Sequence, residues 1–151
     1  MAFEVFDSCP YDICTYFIQV APHGPIKIGR SVDPSDRFQA IQAFIPFPLI
    51  PLLILPGNHE RELHRAFDPY RINGEWFQPV SCLTKFIGQV IPAAPDYIDV
   101  GGRRTVIGRE CNRVEIAHLA RQLTGPTLSR KVDIKIRSSI RQRKQWIRNV
   151  V

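Results

Sequence analysis

The sequence predicts an α+β fold in which a small antiparallel three-stranded sheet is flanked by helices. Three segments rich in β-branched, aromatic or aliphatic residues predict the strands, and turn residues separate them. Segments with helical spacing of apolar residues, each preceded by a capping residue, predict the helices. The chain has 151 residues, of which 44% are hydrophobic, so it is long enough for one packed domain with an appendage.

The three predicted strands are residues 14–20, 26–29 and 49–55. The first two are joined by a Pro-His-Gly-Pro connection, which is typical of a hairpin. The third is a leucine- and isoleucine-rich run interrupted by proline, so we expect a strand that is buried on both faces.

Capping residues predict where four helices begin. Asp33 followed by Pro34 predicts the first helix, and Asn58, Ser81 and Asn112 predict the next three. A Gly-Pro pair after residue 124 ends the fourth. The apolar residues predicted to face the core from the first three helices are Phe38, Ile41, Ile45, Leu63, Ala66, Phe67, Leu83, Phe86, Ile87 and Val90.

The charge is distributed unevenly along the chain. Residues 1–99 carry 7 Lys and Arg against 11 Asp and Glu, a net charge of −4. Residues 100–151 carry 13 basic and 3 acidic residues, a net charge of +10. With prolines at 92 and 95 and a Gly-Gly pair at 101, this predicts a domain at 1–98 and a basic nucleic-acid-binding region at 99–151.

The basic region is expected to be a mostly helical C-terminal appendage that holds a polyanion. Residues 132–136 alternate as in a strand, whereas isoleucines from 136 to 147 keep helical spacing, and we favour a basic final helix from about Ser138. Its cations would contact phosphates, giving salt-sensitive and largely sequence-independent affinity. The alternative is a pair of charged helices that are simply solvated.

Several classes of protein are disfavoured by composition. No apolar run reaches the roughly 18 residues of a membrane span, and the N-terminus lacks the basic start of a secretory signal. The four cysteines form no C-x-x-C pair, so free thiols are favoured over a zinc site or a disulfide scaffold. We therefore expect an intracellular, cytoplasmic protein without a membrane partner, associated with the nucleoid if the host is bacterial.

Four residues supply the groups that phosphodiester cleavage requires. Tyr16 and Lys27 lie on the two strands of the predicted hairpin, which brings such side chains within about 5 Å and would favour a phenolate base. Arg37, one turn into a capped helix, can hold a phosphate by two hydrogen bonds. Glu60 can anchor a single Mg²⁺, a cation that keeps several waters.

Each of these residues also has a purely structural interpretation. Tyr16 is a common strand residue that packs in a core, and Arg37 is a common solvated helix residue. Glu60 is favoured in a first helical turn by the helix dipole, whatever the function. His64 one turn later is commonly solvated or capping, and the aromatic pair at 76–77 is an expected core anchor. The order and spacing of the residues therefore carry the functional interpretation.

That order resembles the GIY-YIG nuclease superfamily over residues 13–90. Residues 15–18 (TYFI) stand at the position of the family's first motif, and residues 27–29 (KIG) at its second. The spacing to Arg37 matches the family's helix arginine, and Glu60, followed by a Leu-His pair, matches its metal-binding glutamate. With residues 74–77 (GEWF), the pattern is similar to the branch named after an open reading frame of phage T5.

The resemblance implies a metal-dependent DNA endonuclease. It implies that Tyr16 activates water, Lys27 takes the place of the family's second tyrosine, Arg37 binds the phosphate and Glu60 ligates Mg²⁺ or Mn²⁺. Three departures are a cysteine at 14 in place of a glycine, the lysine at 27, and no clear counterpart for an asparagine after the glutamate helix. It also implies the sheet-and-helix sandwich expected above.

We expect double-stranded DNA as the partner. A catalytically inactive DNA-binding module of the same fold and an RNA-directed nuclease remain alternatives. A homodimer or successive nicking would let a chain with one site cut both strands. The residues expected to contact nucleic acid are Arg30, Ser31, His64, Arg103, Arg104, Arg130, Lys131, Arg141, Arg143 and Lys144.

Overall fold

The computed structural model describes residues 5–6 and 9–125. The strands are β1 (Val5–Phe6), β2 (Cys14–Val20), β3 (Ile26–Ser31), β4 (Leu49–Pro56), β5 (Arg71–Asn73), β6 (Trp76–Phe77), β7 (Tyr97–Val100) and β8 (Arg103–Val106). The helices are α1 (Pro34–Phe44), α2 (Glu60–Ala66), α3 (Ser81–Gln89) and α4 (Arg113–Thr124), with a 3₁₀ turn at Asp68–Tyr70. The final helix expected from Ser138 and the predicted DNA contacts at Arg130, Lys131, Arg141, Arg143 and Lys144 lie outside the described residues.

The α+β class is confirmed, but the main sheet is larger than predicted. Among the described residues it has five strands in the order β4-β2-β3-β6-β5, all antiparallel. The three predicted strands are present as β2, β3 and β4. The two additional strands arise because Gly74, with φ of +55°, turns the chain back between β5 and β6 and adds a short hairpin beside β3.

Side chains alternate across β2, and this alternation separates the core into two layers. Tyr16 faces the layer that contains α1, whereas Phe17 faces the layer that contains α2, α3 and α4. The buried residues of the first layer include Tyr16, Ile18, Phe38, Ile41 and Ile54. Those of the second include Phe17, Leu63, Phe67, Leu83, Phe86, Ile116 and Ala120.

A second, three-stranded sheet closes over α1. Strand β7 pairs in parallel with β1 and antiparallel with β8. At the turn between β7 and β8, the Gly101 N–H donates a hydrogen bond of 2.9 Å to the Ser35 hydroxyl. Gly101 has φ of +58°, and a Cβ atom there would overlap the ring of Phe38. This sheet was not predicted, because the Gly-Gly pair was interpreted only as a break in the chain.

The described part of the basic region shares the core of the first 98 residues. Helix α4 packs against α2 and α3, and its Ile116 and Ala120 are fully buried. The predicted division at residue 98 remains a prediction. No helix in the described ranges is both long and apolar enough to cross a membrane.

Two of the four predicted helix caps are confirmed. The Asp33 carboxylate accepts a hydrogen bond from the Asp36 N–H at 3.1 Å, and the Asn112 amide oxygen accepts one from the Glu115 N–H at 2.9 Å. The other two helices begin one residue away from the prediction, α2 after His59 and α3 after Val80. The Asn58 amide oxygen still accepts a hydrogen bond of 3.4 Å from the Glu60 N–H, the first of α2.

Replacing Gly29 should destabilise the protein through overlap alone, because its backbone does not require glycine. A Cβ atom at this position would overlap the ring and hydroxyl of the buried Tyr16. We expect Gly29→Ala to lower the free energy of unfolding by about 1–3 kcal/mol, measured by urea denaturation. Gly88→Ala is the matched control: it lies in α3 with no atom within 4 Å of the new Cβ, so it should be neutral or stabilising by up to about 1 kcal/mol. Equal stability of the two variants would contradict this packing of Tyr16.

Candidate active site

Tyr16 and Arg37 meet on one face of the main sheet. In β2, Tyr16 lies opposite Gly29 and exposes only 1% of its surface, with its ring over the glycine. Its hydroxyl accepts a hydrogen bond from the guanidinium of Arg37. Arg37 lies in the first turn of α1, where its N–H donates to the Asp33 carbonyl at 3.1 Å. The cap that begins α1 therefore also places the arginine over the phenol.

The surroundings of Tyr16 keep its phenol protonated. Burial raises the pKa of the hydroxyl above its usual value, and the charges of Glu75 and Glu60 raise it further. The hydrogen bond and charge of Arg37 lower the same pKa but do not reverse the shift. The expected bias towards phenolate was therefore wrong for the protein without substrate.

The hairpin register places Lys27 diagonally from Tyr16 on the same face of the sheet, rather than directly opposite it. The register pairs it with Ile18 in β2 and with Trp76 in β6. Its ammonium lies 2.9 Å from the Glu75 carboxylate and 5.5 Å from the centre of the Trp76 ring. Lys27 thus neutralises a carboxylate that raises the pKa of Tyr16.

Thr15, on the face of β2 opposite to Tyr16, holds the segment that leads to Glu60. Its fully buried hydroxyl donates to the Gly57 carbonyl at 2.8 Å and accepts from the His59 N–H at 2.9 Å. These bonds hold the connection between β4 and α2, and Glu60 is the first residue of that helix. Two adjacent residues of β2 therefore serve the candidate site: Thr15 holds the segment before Glu60, and Tyr16 contacts Arg37.

His59 is buried at the start of α2, within reach of the charge of Arg113 in α4. Its ring is 3% exposed, and Nε2 donates to the Pro56 carbonyl at 3.0 Å. Burial lowers the pKa of His59, and the charge of Arg113 lowers it further. The Pro56 and Cys111 carbonyls and Glu62 act in the opposite direction without reversing the shift, so the neutral imidazole is favoured.

Two of the predicted nucleic-acid contacts adjoin Glu60. The Arg30 Nε atom lies 3.8 Å from Glu60 Oε2, and Arg30 is exposed. His64 Nε2 donates to the Ile28 carbonyl at 2.7 Å, and its ring centre lies 5.1 Å from that of Phe77. His64 therefore also ties α2 to β3, a structural role that the sequence did not predict.

The other described contacts lie elsewhere in the fold. The Ser31 hydroxyl accepts from the Asp33 N–H at 3.0 Å, which places it in the turn before α1. Arg103 and Arg104 are exposed on β8, and the Arg104 guanidinium lies 4.0 Å from the centre of the Tyr97 ring. They belong to the three-stranded sheet, whereas Tyr16 and Lys27 belong to the five-stranded sheet.

The donor set around Glu60 suits a cation that keeps most of its own water. No group of three or more His, Cys, Asp or Glu side chains able to hold a metal occurs within the described ranges. Glu60 is half-buried, and its distance of 3.8 Å to Arg30 is long for an ion pair. A single carboxylate that is not tightly paired fits Mg²⁺ or Mn²⁺ shared with a substrate phosphate. It does not fit a zinc site with four protein ligands.

The model of the T5orf172 domain matches residues 13–91, more than half of the chain. The chain belongs to the T5orf172 domain family. No curated protein and no solved structure matches it. The T5orf172 domain is associated with nuclease-like proteins, which supports a nuclease-like or DNA-binding role at this coarse level. The matched span contains Tyr16, Lys27, Arg37 and Glu60.

Within the T5orf172 domain, two residues of the site were missed by the sequence analysis. Glu75 faces Lys27 because Gly74 turns the chain there, and a glycine before a Trp-Phe pair was a usable sign of a hairpin. His59 was passed over because a lone histidine before a helix has no periodic pattern.

Replacing Thr15 should show how strongly its hydroxyl holds the start of α2. Thr15→Val keeps the volume but leaves the Gly57 carbonyl and the His59 N–H without their partner. We expect the free energy of unfolding in urea to fall by roughly 2–4 kcal/mol. Thr84→Val is the control, since the exposed Thr84 hydroxyl bonds only the Ser81 carbonyl at 3.0 Å, and its effect should stay within about 0.5 kcal/mol. Similar losses in the two variants would contradict the anchoring role of Thr15.

Proposed function

We propose that this T5orf172-domain protein is a metal-dependent endonuclease that hydrolyses phosphodiester bonds in DNA. The observation that carries the proposal is the hydrogen bond between Arg37 and Tyr16, with the Glu60 charge near enough to raise the pKa of that phenol. Helix α1, strand β2 and helix α2 thus supply, in electrostatic contact with one phenol, groups suited to bind phosphate, transfer a proton and hold a metal. A protein that only needed a packed core would have no reason to bring these three groups together.

Arg37 binds the phosphate and controls access to Tyr16. The guanidinium is exposed, and its hydrogen bond with Tyr16 raises the pKa of Arg37, so it stays charged. A phosphate can accept two parallel N–H bonds from such a group. A substrate phosphate that draws the guanidinium from the ring would uncover the phenol, which exposes only 1% of its surface in this structure.

Tyr16 accepts the proton of the attacking water as the phenolate, so its own proton must first pass to solvent. Its resting hydroxyl is protonated because burial and two carboxylates raise its pKa. Positive charge beside those carboxylates lowers that pKa, and Lys27 supplies it at Glu75. Lys27 therefore tunes the base through Glu75.

Glu60 would hold Mg²⁺ or Mn²⁺. When bound, the cation supplies a Lewis acid for the phosphate oxygens and a source of activated water. Arg30 at 3.8 Å is placed to bind a further phosphate once Glu60 is engaged by the cation. The proposal places the protein in the cytoplasm with its DNA substrate, near the nucleoid in a bacterial host, acting as a homodimer or by successive nicks.

Supercoiled plasmid incubated with Mg²⁺ or Mn²⁺ should be nicked by the unmodified protein. Tyr16→Phe removes the proton-transfer group and Glu60→Gln removes the carboxylate charge, so each should lower the rate at least about 100-fold. Glu110→Gln is the control, because it neutralises an exposed carboxylate that does not line the surface cavity beside Glu60, and it should cut at the normal rate.

The other outcomes separate the alternatives. Equal nicking by all four proteins would indicate a contaminating nuclease and overturn the proposal. Salt-dependent retardation of DNA in a gel without nicking would identify a binding module of the same fold. Cleavage of a matched RNA but not of DNA would assign RNA as the substrate.

Shortening the chain after Gly125 should weaken DNA binding and leave the chemistry intact. The deletion removes 8 Lys and Arg residues and 1 Asp but none of the described core. We expect the dissociation constant for duplex DNA to rise by roughly 10-fold or more at 100 mM salt, with a smaller salt dependence. The nicking rate at saturating DNA and the thermal midpoint should be unchanged. Unchanged affinity would contradict the DNA-holding role of the C-terminal region.

A further inference from the structure

A charged groove of about 700 Å³ runs along α2 and reaches Glu60. Glu60 and Arg30 line one part of it, so the groove is continuous with the candidate active site. Helix α4 packs beside α2, and its first residue contributes to the groove. The arginines that line it are Arg30, Arg61, Arg65, Arg71 and Arg113.

Three of these arginines are not paired with a carboxylate of the described residues. Arg71 is fully used, since it pairs with Asp68 at 3.0 Å, bonds the His64 carbonyl and lies over the Phe77 ring. Arg30 faces Glu60. Arg61, Arg65 and Arg113 have no ion pair with any carboxylate of the described ranges. Glu62 also lines the groove and offsets one of these three charges, so a positive surplus remains.

The spacing of these cations fits a row of phosphates. Arg61 and Arg65 are four residues apart, so they lie side by side on one face of α2. The seven residues of α2 span about 10 Å. Because phosphates of one DNA strand advance by about 3.4 Å each along the helix axis, that length corresponds to roughly three of them. The Asn112 cap begins α4 at Arg113 and holds this third cation at the groove.

We propose that this groove binds the phosphate backbone of the cleaved DNA strand on one side of the scissile bond. The inference rests on the proposed nuclease function and adds the path of the strand away from Glu60. Solvated arginines are common on helix surfaces, but these line a concave surface that ends at the candidate metal-binding carboxylate. Four of the seven Lys and Arg residues of the acidic segment 1–99 line this groove, so the cations of that segment are concentrated there.

The test measures binding of a fluorescein-labelled duplex of 20 base pairs by anisotropy, in EDTA and at several salt concentrations. The double variant Arg61→Gln/Arg65→Gln removes two phosphate contacts. The slope of log K against log salt should become shallower by about 1.8, and the dissociation constant at 100 mM salt should rise by roughly 10- to 60-fold. The matched control Lys85→Gln/Arg121→Gln removes two exposed cations outside the groove and should leave the slope unchanged. Thermal melts check that both variants are folded.

The outcomes of this test are independent of the outcome of the nicking assay. A folded groove variant that binds with the normal affinity and slope overturns the groove proposal, even if the unmodified protein nicks plasmid. Equal losses in the groove and control variants also overturn it, because they would reflect total charge only. A selective loss in the groove variant supports it, and if nicking were absent the same result would leave a DNA-binding groove without the proposed chemistry.

Discussion

The alternation of side chains along β2 is the constraint on which the candidate site depends. Thr15 and Tyr16 are adjacent, so in a strand they must point to opposite faces. Thr15 turns towards the layer of α2 and holds the segment before Glu60, whereas Tyr16 turns towards α1 and meets Arg37. A shift of one residue in the pairing of β2 would exchange these partners and dismantle both halves of the site together.

The charged groups that influence the buried Tyr16 phenol are of both signs, and each carboxylate among them lies beside a basic residue. Arg37 lowers the pKa of Tyr16, while Glu75 and Glu60 raise it. Each carboxylate has a cation of its own, Lys27 at 2.9 Å from Glu75 and Arg30 at 3.8 Å from Glu60. The looser of the two pairs is the one at the expected metal ligand. A tight pair at Glu60 would compete with a bound cation, whereas a tight pair at Glu75 only moderates its effect on the phenol.

The sequence predicted the elements that are determined by interactions between residues close together in the chain. The bounds of β2 and the caps at Asp33 and Asn112 follow from strand-forming residues and from side-chain oxygens placed before a helix. The two extra strands of the main sheet and the whole three-stranded sheet were not predicted, because strands of two to four residues have too little periodicity to be recognised. The hairpin predicts that Lys27 is near Tyr16, and the register adds what the sequence could not: Gly29 lies opposite Tyr16, and Lys27 lies opposite Ile18, two residues further along the same face.

Average charge is a poor guide to where this protein presents positive potential. The segment 1–99 is acidic overall, so composition alone predicts positive potential only in the C-terminal region. In the fold, several acidic residues of that segment are already committed, Asp33 to a cap, Asp68 to Arg71 and Glu75 to Lys27. A carboxylate paired in this way contributes little field at a distance, because its partner cancels it within a few ångströms. The arginines of α2 have no such partners among the described residues, so a basic groove can arise beside Glu60 within a segment that carries net negative charge.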